Sequence, residues 1–176
     1  ADGTAVKTPG SNIFPYIKKN LDDIITVEDD ELIVAFLDMV ENHKMIVENS
    51  GLLTVAALKH LGVKDKRVVS ILSGGNMDVI TMSSVVQQGL IFRDRIFTVS
   101  VLLPDKPGEL AKVSQTLADV QGNVIKLEHN QFVTTNRSAA VELRITLECF
   151  GTEHKEQIIA ALEKKGYKPR IVRTMI

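Results

Sequence analysis

The chain has 176 residues, of which 44% are hydrophobic and 24% are charged, and its formal net charge is −1. This near-neutral balance without a basic block argues against nucleic acid as a main partner, and no apolar run approaches the roughly 18 residues of a membrane span. The single cysteine, Cys149, excludes an internal disulfide and a cysteine-based zinc site, while the four histidines show no metal-ligand spacing. We therefore expect a cytoplasmic protein that has neither a metal site nor a membrane partner.

The first half of the chain predicts helices that alternate with short strands. Ser11 or Asn12 can cap a short helix, and residues 24–27 read as a strand by composition. A second helix is expected to begin at Asp29 or Asp30. Its apolar side chains recur on one helical face, at Leu32, Ile33, Phe36, Leu37 and Val40.

A nearly apolar segment, Leu52–Leu61, predicts a further helix that must be buried, and Gly62 is placed to end it. Glu48 lies just before this helix, where the helix dipole favours a carboxylate by about 0.3–1 kcal/mol. This plain role competes with a catalytic one. Because two short strands cannot make a stable parallel sheet, residues 1–88 look like part of a larger α/β domain.

The most informative stretch of the first half is Arg67–Asp78, with the sequence RVVSILSGGNMD. Its β-branched run at residues 68–72 suits a strand that is covered on both faces of a parallel sheet. The two glycines that follow allow a sharp turn and close approach of a ligand, and a helix is expected over residues 77–88. Open α/β folds bind ligands where such strands end, which makes Ser73 a candidate contact. The alternative is a turn with no ligand.

Three segments together resemble the later part of the catalytic domain of the threonine ammonia-lyases, or threonine dehydratases. They are residues 1–32, beginning ADGTAV, residues 47–61, VENSGLLTVAALKHL, and residues 68–78, VVSILSGGNMD. Serine racemase has a similar series. The resemblance implies an α/β fragment of a tryptophan-synthase-β-like (fold type II) domain that binds pyridoxal 5'-phosphate, over residues 1–90.

The resemblance also implies cofactor-binding roles for three residues. Ser73 matches the serine that hydrogen-bonds the pyridine nitrogen, where a neutral hydroxyl favours α,β-elimination over transamination. Glu48 matches a glutamate beside the ring, and Gly3 matches a glycine that packs close to the cofactor. The sequence departs mildly from many relatives at Asn49-Ser50, where they carry Gly-Ala or Pro-Thr.

The sequence lacks the family's Schiff-base lysine segment, S-F-K-x-R-G, and the glycine run that holds the cofactor phosphate. None of its lysines lies in a matching motif. We therefore expect a fragment of a longer enzyme, which has no catalytic residue of its own, shows no lyase activity alone and does not retain pyridoxal 5'-phosphate.

The second half predicts a βαββαβ order after a linker at residues 89–94. The expected elements are strands at 97–103, 123–132, 139–149 and 168–173, a polar turn at 134–137, and two helices, one with Leu110, Val113, Leu117 and Val120 on one face and one after Gly151. This order gives an antiparallel, ferredoxin-like α+β fold with both helices on one face. Cys149 falls in the core register, whereas His129 and His154 are expected at the surface or a strand edge.

The run Phe97–His129 resembles an ACT domain, a regulatory module that binds amino acids, and the domain is expected over residues 91–176. The hallmark is the turn from the first strand into the first helix, formed by Asp105, Lys106, Pro107, Gly108, Glu109 and Leu110. Gly108 permits close backbone approach, and the helix amides can take up a ligand carboxylate. Asn123 is placed to hold the polar end of the ligand. In the family two sheets pair side by side with ligands at the seam, which implies a homo-oligomer.

The leading hypothesis is the C-terminal regulatory portion of a threonine ammonia-lyase. The parent enzyme converts threonine to 2-oxobutanoate and ammonia, or serine to pyruvate, and the ACT domain senses an amino acid, isoleucine or valine. The alternative is a stand-alone ACT-type module for amino-acid binding and dimerisation, without catalysis. Serine racemization by the parent is a weaker third hypothesis, because an ACT domain is expected of the lyases.

Overall fold

A computed structural model describes residues 1–8, 10–130 and 141–175. Its contacts divide the chain into two compact units, Ala1–Gly89 and Leu90–Ile176. The turn predicted at residues 134–137, together with the ends of the two strands that flank it, lies outside the described residues. In the part of the chain that is described, no helix is long and apolar enough to cross a membrane.

The first unit is built from helices and short turns. The α-helices are α1 (Phe14–Asn20), α2 (Asp29–Asp38), α3 (Leu53–Ala56) and α4 (Val79–Phe92), which continues past the end of the unit. A π-helical turn spans Met39–His43, and 3-10 turns span Asp2–Thr4, Asn49–Leu52 and Ala57–His60. The residue before α1 is Ile13, with no side-chain cap, so the predicted cap at Ser11 or Asn12 is wrong.

Helix α2 provides the centre of the first unit's core. It begins with a capping box in which the Glu31 side chain accepts the Glu28 backbone N–H at 2.8 Å. The predicted apolar face is confirmed, because Leu32, Phe36 and Leu37 are buried. The core cluster around this face comprises Leu32, Ala35, Phe36, Met39, Val47, Leu52, Ala56 and Val85.

The two strands predicted in the first half do not form. Residues 24–27 and 68–72 are not in any sheet, and no β-strand occurs among the described residues up to Gly89. Val69 is 88% exposed and Ile71 is 72% exposed. A strand exists only where a neighbour completes its backbone hydrogen bonds, and the two segments do not pair with each other. The Ile71 carbonyl instead accepts the Thr54 hydroxyl at 3.0 Å.

The helix predicted over Leu52–Leu61 does not form as one continuous, buried helix. It breaks into α3 and the flanking 3-10 turns, and only Leu52 and Ala56 of this stretch are buried. Leu58 and Leu61 stay exposed, because the unit offers one packing surface to a segment that is apolar on all sides.

The linker predicted at residues 89–94 is wrong, because α4 runs through Gly89 to Phe92. Gly89 is a site of close packing: a Cβ there would lie 2.6 Å from Leu37 Cδ1. Asp94, in the left-handed region at φ 53°, ends the helix, and the Arg95 N–H donates to the Leu90 carbonyl at 2.8 Å.

The second unit has the predicted βαββαβ order. Its elements are β1 (Ile96–Leu103), α5 (Glu109–Asp119), β2 (Asn123–Asn130), β3 (Val141–Glu148), α6 (Thr152–Lys164) and β4 (Arg170–Val172). The sheet is antiparallel with the strand order β2-β3-β1-β4, and β1 pairs with β3 from Ile96↔Glu148 to Leu103↔Val141. The predicted ferredoxin-like α+β fold is confirmed.

One face of this sheet packs against α5 and α6 and forms the core. The buried residues of this cluster are Phe97, Val99, Val101, Leu103, Val113, Leu117, Leu143, Ile145, Leu147, Cys149, Ile158 and Leu162. The predicted register is therefore correct for both central strands. Cys149 is 3% exposed as expected, and burial raises the pKa of its thiol.

His154 is buried at 8% exposed, so its predicted surface or strand-edge place is wrong. Its Nδ1 accepts the Phe150 N–H at 3.1 Å, which leaves the proton on Nε2 to donate to the Val120 carbonyl at 2.6 Å. The ring also stacks on Phe150 at 4.9 Å between centroids. The other histidine, His129, lies exposed on the edge strand β2, as expected.

Candidate cofactor and effector sites

Three segments that are distant in sequence meet in the first unit. A Cβ on Gly3 would lie 2.8 Å from Ser50 Oγ, and a Cβ on Gly74 would overlap the Glu48 carboxylate. A Cβ on Gly51 would overlap the carbonyl oxygen of Ser73. Gly51 is therefore required for the close approach of two backbones, whereas a Cβ on Gly3 or Gly74 would displace the side chain of Ser50 or Glu48.

Hydrogen bonds fix the orientation of Glu48 at this meeting point. The Ser50 hydroxyl donates to Glu48 Oε1 at 2.5 Å, and the Glu48 N–H donates to the Gly74 carbonyl at 3.4 Å. Glu48 also precedes the 3-10 turn at Asn49–Leu52, but its side chain does not cap that turn. The carboxylate accepts the Ser50 hydroxyl instead, and Glu48 keeps the position just before the turn where we expect the helix dipole to favour a carboxylate.

A cavity of about 330 Å³ opens beside this cluster. Its walls come from Gly3, Glu48, Asn49, Ser50, Asn76, Met77, Asp78 and Thr81. The side-chain oxygen of Asn49 is buried without a hydrogen-bond partner in the described part of the chain. Such an atom is costly unless a bound group satisfies it.

Asp78 forms the start of α4 and one wall of the cavity. Its Oδ1 accepts the N–H groups of Ile80 and Thr81, each at 2.9 Å, and its Oδ2 accepts the Thr81 hydroxyl at 2.5 Å. The Thr81 hydroxyl and these N–H groups lower the pKa of Asp78 below its ordinary value. Asp78 is thus an ionised helix cap at the positive end of the helix dipole.

The structure brings Gly3 and Glu48 together, whereas Ser73 reaches this cluster only through its backbone. Ser73 is exposed, and its backbone touches the cluster at Gly51, but its side chain does not line the cavity. The residues that sequence reasoning missed are Asn49, Ser50 and Asn76. Each is a neighbour of a residue in the quoted motifs, and the departure at Asn49-Ser50 was the available signal.

The predicted effector turn connects β1 to α5 in the second unit. Gly108 caps α5 at φ 91°, where L side chains are strained, and a Cβ there would meet nothing within 4 Å. Residues 105–108 are exposed. Glu109 accepts the Lys112 ammonium at 2.6 Å, which raises the pKa of Lys112. The space around Gly108 Cα is therefore open, while the Glu109 N–H donates to the Lys106 carbonyl at 3.4 Å.

Asn123 does not lie beside this turn. It pairs with Glu148, which pairs with Ile96 at the start of β1, while the turn follows Leu103 at the other end of β1. The two predicted parts of the site are therefore separated by about 23 Å at the rise of a β-strand. The Asn123 amide donates to Glu148 Oε2 at 3.0 Å. Within one domain, a small ligand cannot contact both parts.

Comparison with known proteins supports two families in one chain. Residues 1–74 match the family described as pyridoxal-phosphate dependent enzyme, and residues 97–166 match the ACT domain. Residues 1–74 are therefore part of a pyridoxal-phosphate dependent enzyme domain, and an ACT domain follows them. Among the described residues, no group of three or more His, Cys, Asp or Glu could hold a metal ion.

Two relatives that the chain matches along nearly its whole length are L-threonine ammonia-lyases. That of Geobacter sulfurreducens is 37% identical over 169 residues, 95% of this chain and 42% of the relative. That of Thermotoga maritima is 34% identical over 173 residues, 98% of this chain and 43% of the relative. A biosynthetic L-threonine dehydratase from Pasteurella multocida is 31% identical over 171 residues, 95% of this chain and 32% of the relative. The chain thus spans about two fifths of the length of the first two relatives.

Proposed function

We propose that this chain is the regulatory portion of a threonine ammonia-lyase that depends on pyridoxal 5'-phosphate. The parent enzyme eliminates ammonia from threonine to give 2-oxobutanoate, and the ACT domain adjusts this activity to the level of an amino acid. The observation that carries the proposal is the succession of the two matched families in one chain, at 37% identity to an L-threonine ammonia-lyase.

The cluster in the first unit fits one edge of the cofactor. Gly51 brings two backbones too close for any side chain, and Gly3 and Gly74 leave room for the side chains of Ser50 and Glu48. The unsatisfied Asn49 oxygen offers an acceptor to a bound group. Glu48 would lie beside the ring, held by Ser50, and Ser73 would contact the pyridine nitrogen. When bound, pyridoxal 5'-phosphate supplies the electron sink for the elimination.

The chain's own residues do not complete the chemistry. The nucleophile that would bind the cofactor aldehyde belongs to a lysine motif that this sequence does not contain. We infer that this chain alone neither retains the cofactor nor releases ammonia, and that Ser73 and Glu48 act only when the rest of the enzyme is present.

In the ACT domain, the distance between the turn and Asn123 favours a paired site. A two-fold axis brings different parts of the same surface together, so residue i of one copy meets residue j of the other. Side-by-side pairing of two sheets would set the turn of one copy beside Asn123 of its partner. A ligand carboxylate would lie on the amides at the start of α5, and the Asn123 side chain would hold its polar end.

The edge strand β2 is the surface that supports such pairing. It has no neighbour on its outer side in the sheet, and Asn123 begins it. Val124, Ile125 and Leu127 on this strand are 39–47% exposed. An apolar, unpaired edge is a template for another strand, and a partner copy of β2 would cover it.

Binding of an amino acid to this chain is the direct test. A thermal-shift screen against the twenty amino acids, followed by calorimetry, should show a selective shift by isoleucine or valine. Size-exclusion chromatography with light scattering should show a dimer, and Ile125→Lys should make it monomeric, because it places a charge in the apolar seam. No shift by any amino acid, or a monomeric wild-type chain, would contradict the proposed regulation.

A further inference from the structure

The face of the ACT sheet that points away from both helices carries two rows of aligned side chains, most of them polar. In the first row, the backbone register aligns Lys126 on β2, Thr146 on β3, Thr98 on β1 and Val172 on β4. The next row contains Glu128, Arg144, Ser100 and Arg170. Side chains on such rows lie on one face, because their positions differ by two residues along each strand.

The centre of this face is buried although none of the described helices covers it. Thr98, Ser100, Glu142 and Thr146 are only 5–8% exposed. The two threonine hydroxyls lie 2.9 Å apart, and the Ser100 hydroxyl donates to Glu142 at 2.6 Å. Longer side chains stand around this floor and enclose a cavity of about 260 Å³, which we call the open-face cavity. Its walls are formed by Thr98, Lys126, Glu128, Arg144, Thr146, Val172, Arg173 and Met175.

Positive charge dominates the walls of the open-face cavity. Lys126 pairs with Glu128 at 2.8 Å, the only carboxylate among the described lining residues. Arg173 has no carboxylate partner in the residues that the structure describes. Arg144 Nε forms an ion pair with the buried Glu142 Oε2 at 3.1 Å, so Arg144 is a paired cation. Arg173 is therefore the lining cation that favours an anionic ligand.

The remaining walls restrict what this anion can be. Glu128 offers a carboxylate to an ammonium group, and Val172 and Met175 offer an apolar surface. The volume lies just below the range of about 300–1,000 Å³ that is typical of sites for drug-sized ligands. These features together match a small α-amino acid with an aliphatic side chain.

We propose that the open-face cavity is a second amino-acid site of the ACT domain, separate from the effector turn and Asn123. Arg173 binds the carboxylate of the ligand, Glu128 binds its ammonium group, and Val172 and Met175 contact its side chain. This site lies within one copy and needs no partner. It rests on the proposed function only in the choice of amino acids as ligands.

Backbone amide shifts in a ¹⁵N-labelled sample of the whole chain test this site separately from the turn. The probes are isoleucine, valine and sodium sulfate. We expect isoleucine or valine to shift the amides of Thr98 and Thr146. Arg173→Gln should weaken this binding about tenfold or more, because it removes a charged partner of the carboxylate. Arg67→Gln is the matched control: it changes an exposed arginine of the first unit, which does not line the cavity.

Three results would overturn the inference. Shifts confined to the Gly108 and Asn123 regions would remove the open-face site and leave the proposed effector site intact. Equal shifts of Thr98 and Thr146 with sulfate would show an adventitious ion only. Absence of any shift at Thr98 and Thr146 with all three probes would also exclude the site. The dimer and binding measurements above still decide the proposed function in each case.

Discussion

Similar apolar segments adopt different structures in the two units of this chain. Val68–Leu72 in the first unit and Val141–Leu147 in the second are both rich in β-branched residues, and both predict strands. The second is hydrogen-bonded on both sides and its core-facing residues are buried, whereas the first stays unpaired and largely exposed. A segment therefore forms a strand only where neighbouring strands complete its hydrogen bonds, and of the two units only the ACT unit contains such neighbours.

The largest contrast is expected from one substitution made in both segments. Ile145→Ala should destabilise the ACT unit by about 2–5 kcal/mol, because Ile145 is fully buried and its loss leaves a cavity. Ile71→Ala should change stability by less than about 0.5 kcal/mol, because Ile71 is 72% exposed. Urea unfolding followed by far-UV circular dichroism measures both. Equal losses would contradict the contrast between the units.

A smaller contrast is expected between two histidines. His154→Ala should cost about 1–3 kcal/mol, because the Val120 carbonyl and the Phe150 N–H lose their partner in a buried place. His60→Ala removes a bond of 2.9 Å to Glu31 at the surface of the first unit and should cost less than about 1 kcal/mol. The same unfolding experiment compares them. A larger loss of stability for His60→Ala than for His154→Ala would show that the bond between His60 and Glu31 stabilises the first unit more than an exposed bond should.

Acid should remove the stabilisation that Glu31 gains from its contact with Lys59 in the first unit. Hydrogen bonding from Lys59 is the main cause that lowers the pKa of Glu31 from 4.5 to about 2. The folded pKa lies below the unfolded one, so the contribution is present above about pH 4.5 and is lost as pH falls toward 2. A carboxyl titration by NMR measures this pKa. Lys59→Gln should raise it toward 4.5, and an unchanged pKa would contradict the assigned cause.

We expect this chain to show no lyase activity on its own. This chain, mixed with pyridoxal 5'-phosphate and threonine, should release no ammonia, because its first unit lacks the lysine motif. The L-threonine ammonia-lyase of Geobacter sulfurreducens serves as the positive control, assayed by ammonia release under the same conditions. Cofactor retained after dialysis, or ammonia above the blank, would show that the first unit is more complete than its sequence indicates.

Sequence predicted the ACT unit well because its pattern and its partners lie close together in the chain. The alternation from Phe97 to Leu103 and from Val141 to Cys149 already separates the core face from the polar face. The same reasoning missed the burial of His154. The hydrogen-bond partners of its ring are the Phe150 N–H and the Val120 carbonyl, and the sequence does not show which backbone groups will lie beside a side chain.

Predictions for the first unit failed where they needed contacts that local pattern cannot supply. The strand at residues 68–72 needed neighbours, and the linker at residues 89–94 ignored that Gly89 serves close packing against Leu37. The motif residues Gly3 and Glu48 do meet, which local pattern alone did not require. For the effector site, sequence named the turn and Asn123 but not their opposite placement, which depends on the sheet register.

Mixing two variants tests the paired effector site most directly. Gly108→Val blocks the turn, Asn123→Ala removes the other part, and Gly166→Val controls for a strained glycine, since Gly166 has φ 88° and equally open surroundings. Each of the first two variants alone should lose the isoleucine or valine binding of the seam, so that calorimetry records only the binding of the open-face cavity. After subunit exchange, every mixed dimer should contain one intact seam, which restores about a quarter of the wild-type stoichiometry of the seam in an equal mixture. A mixture that binds no better than either variant would contradict a site shared between two copies.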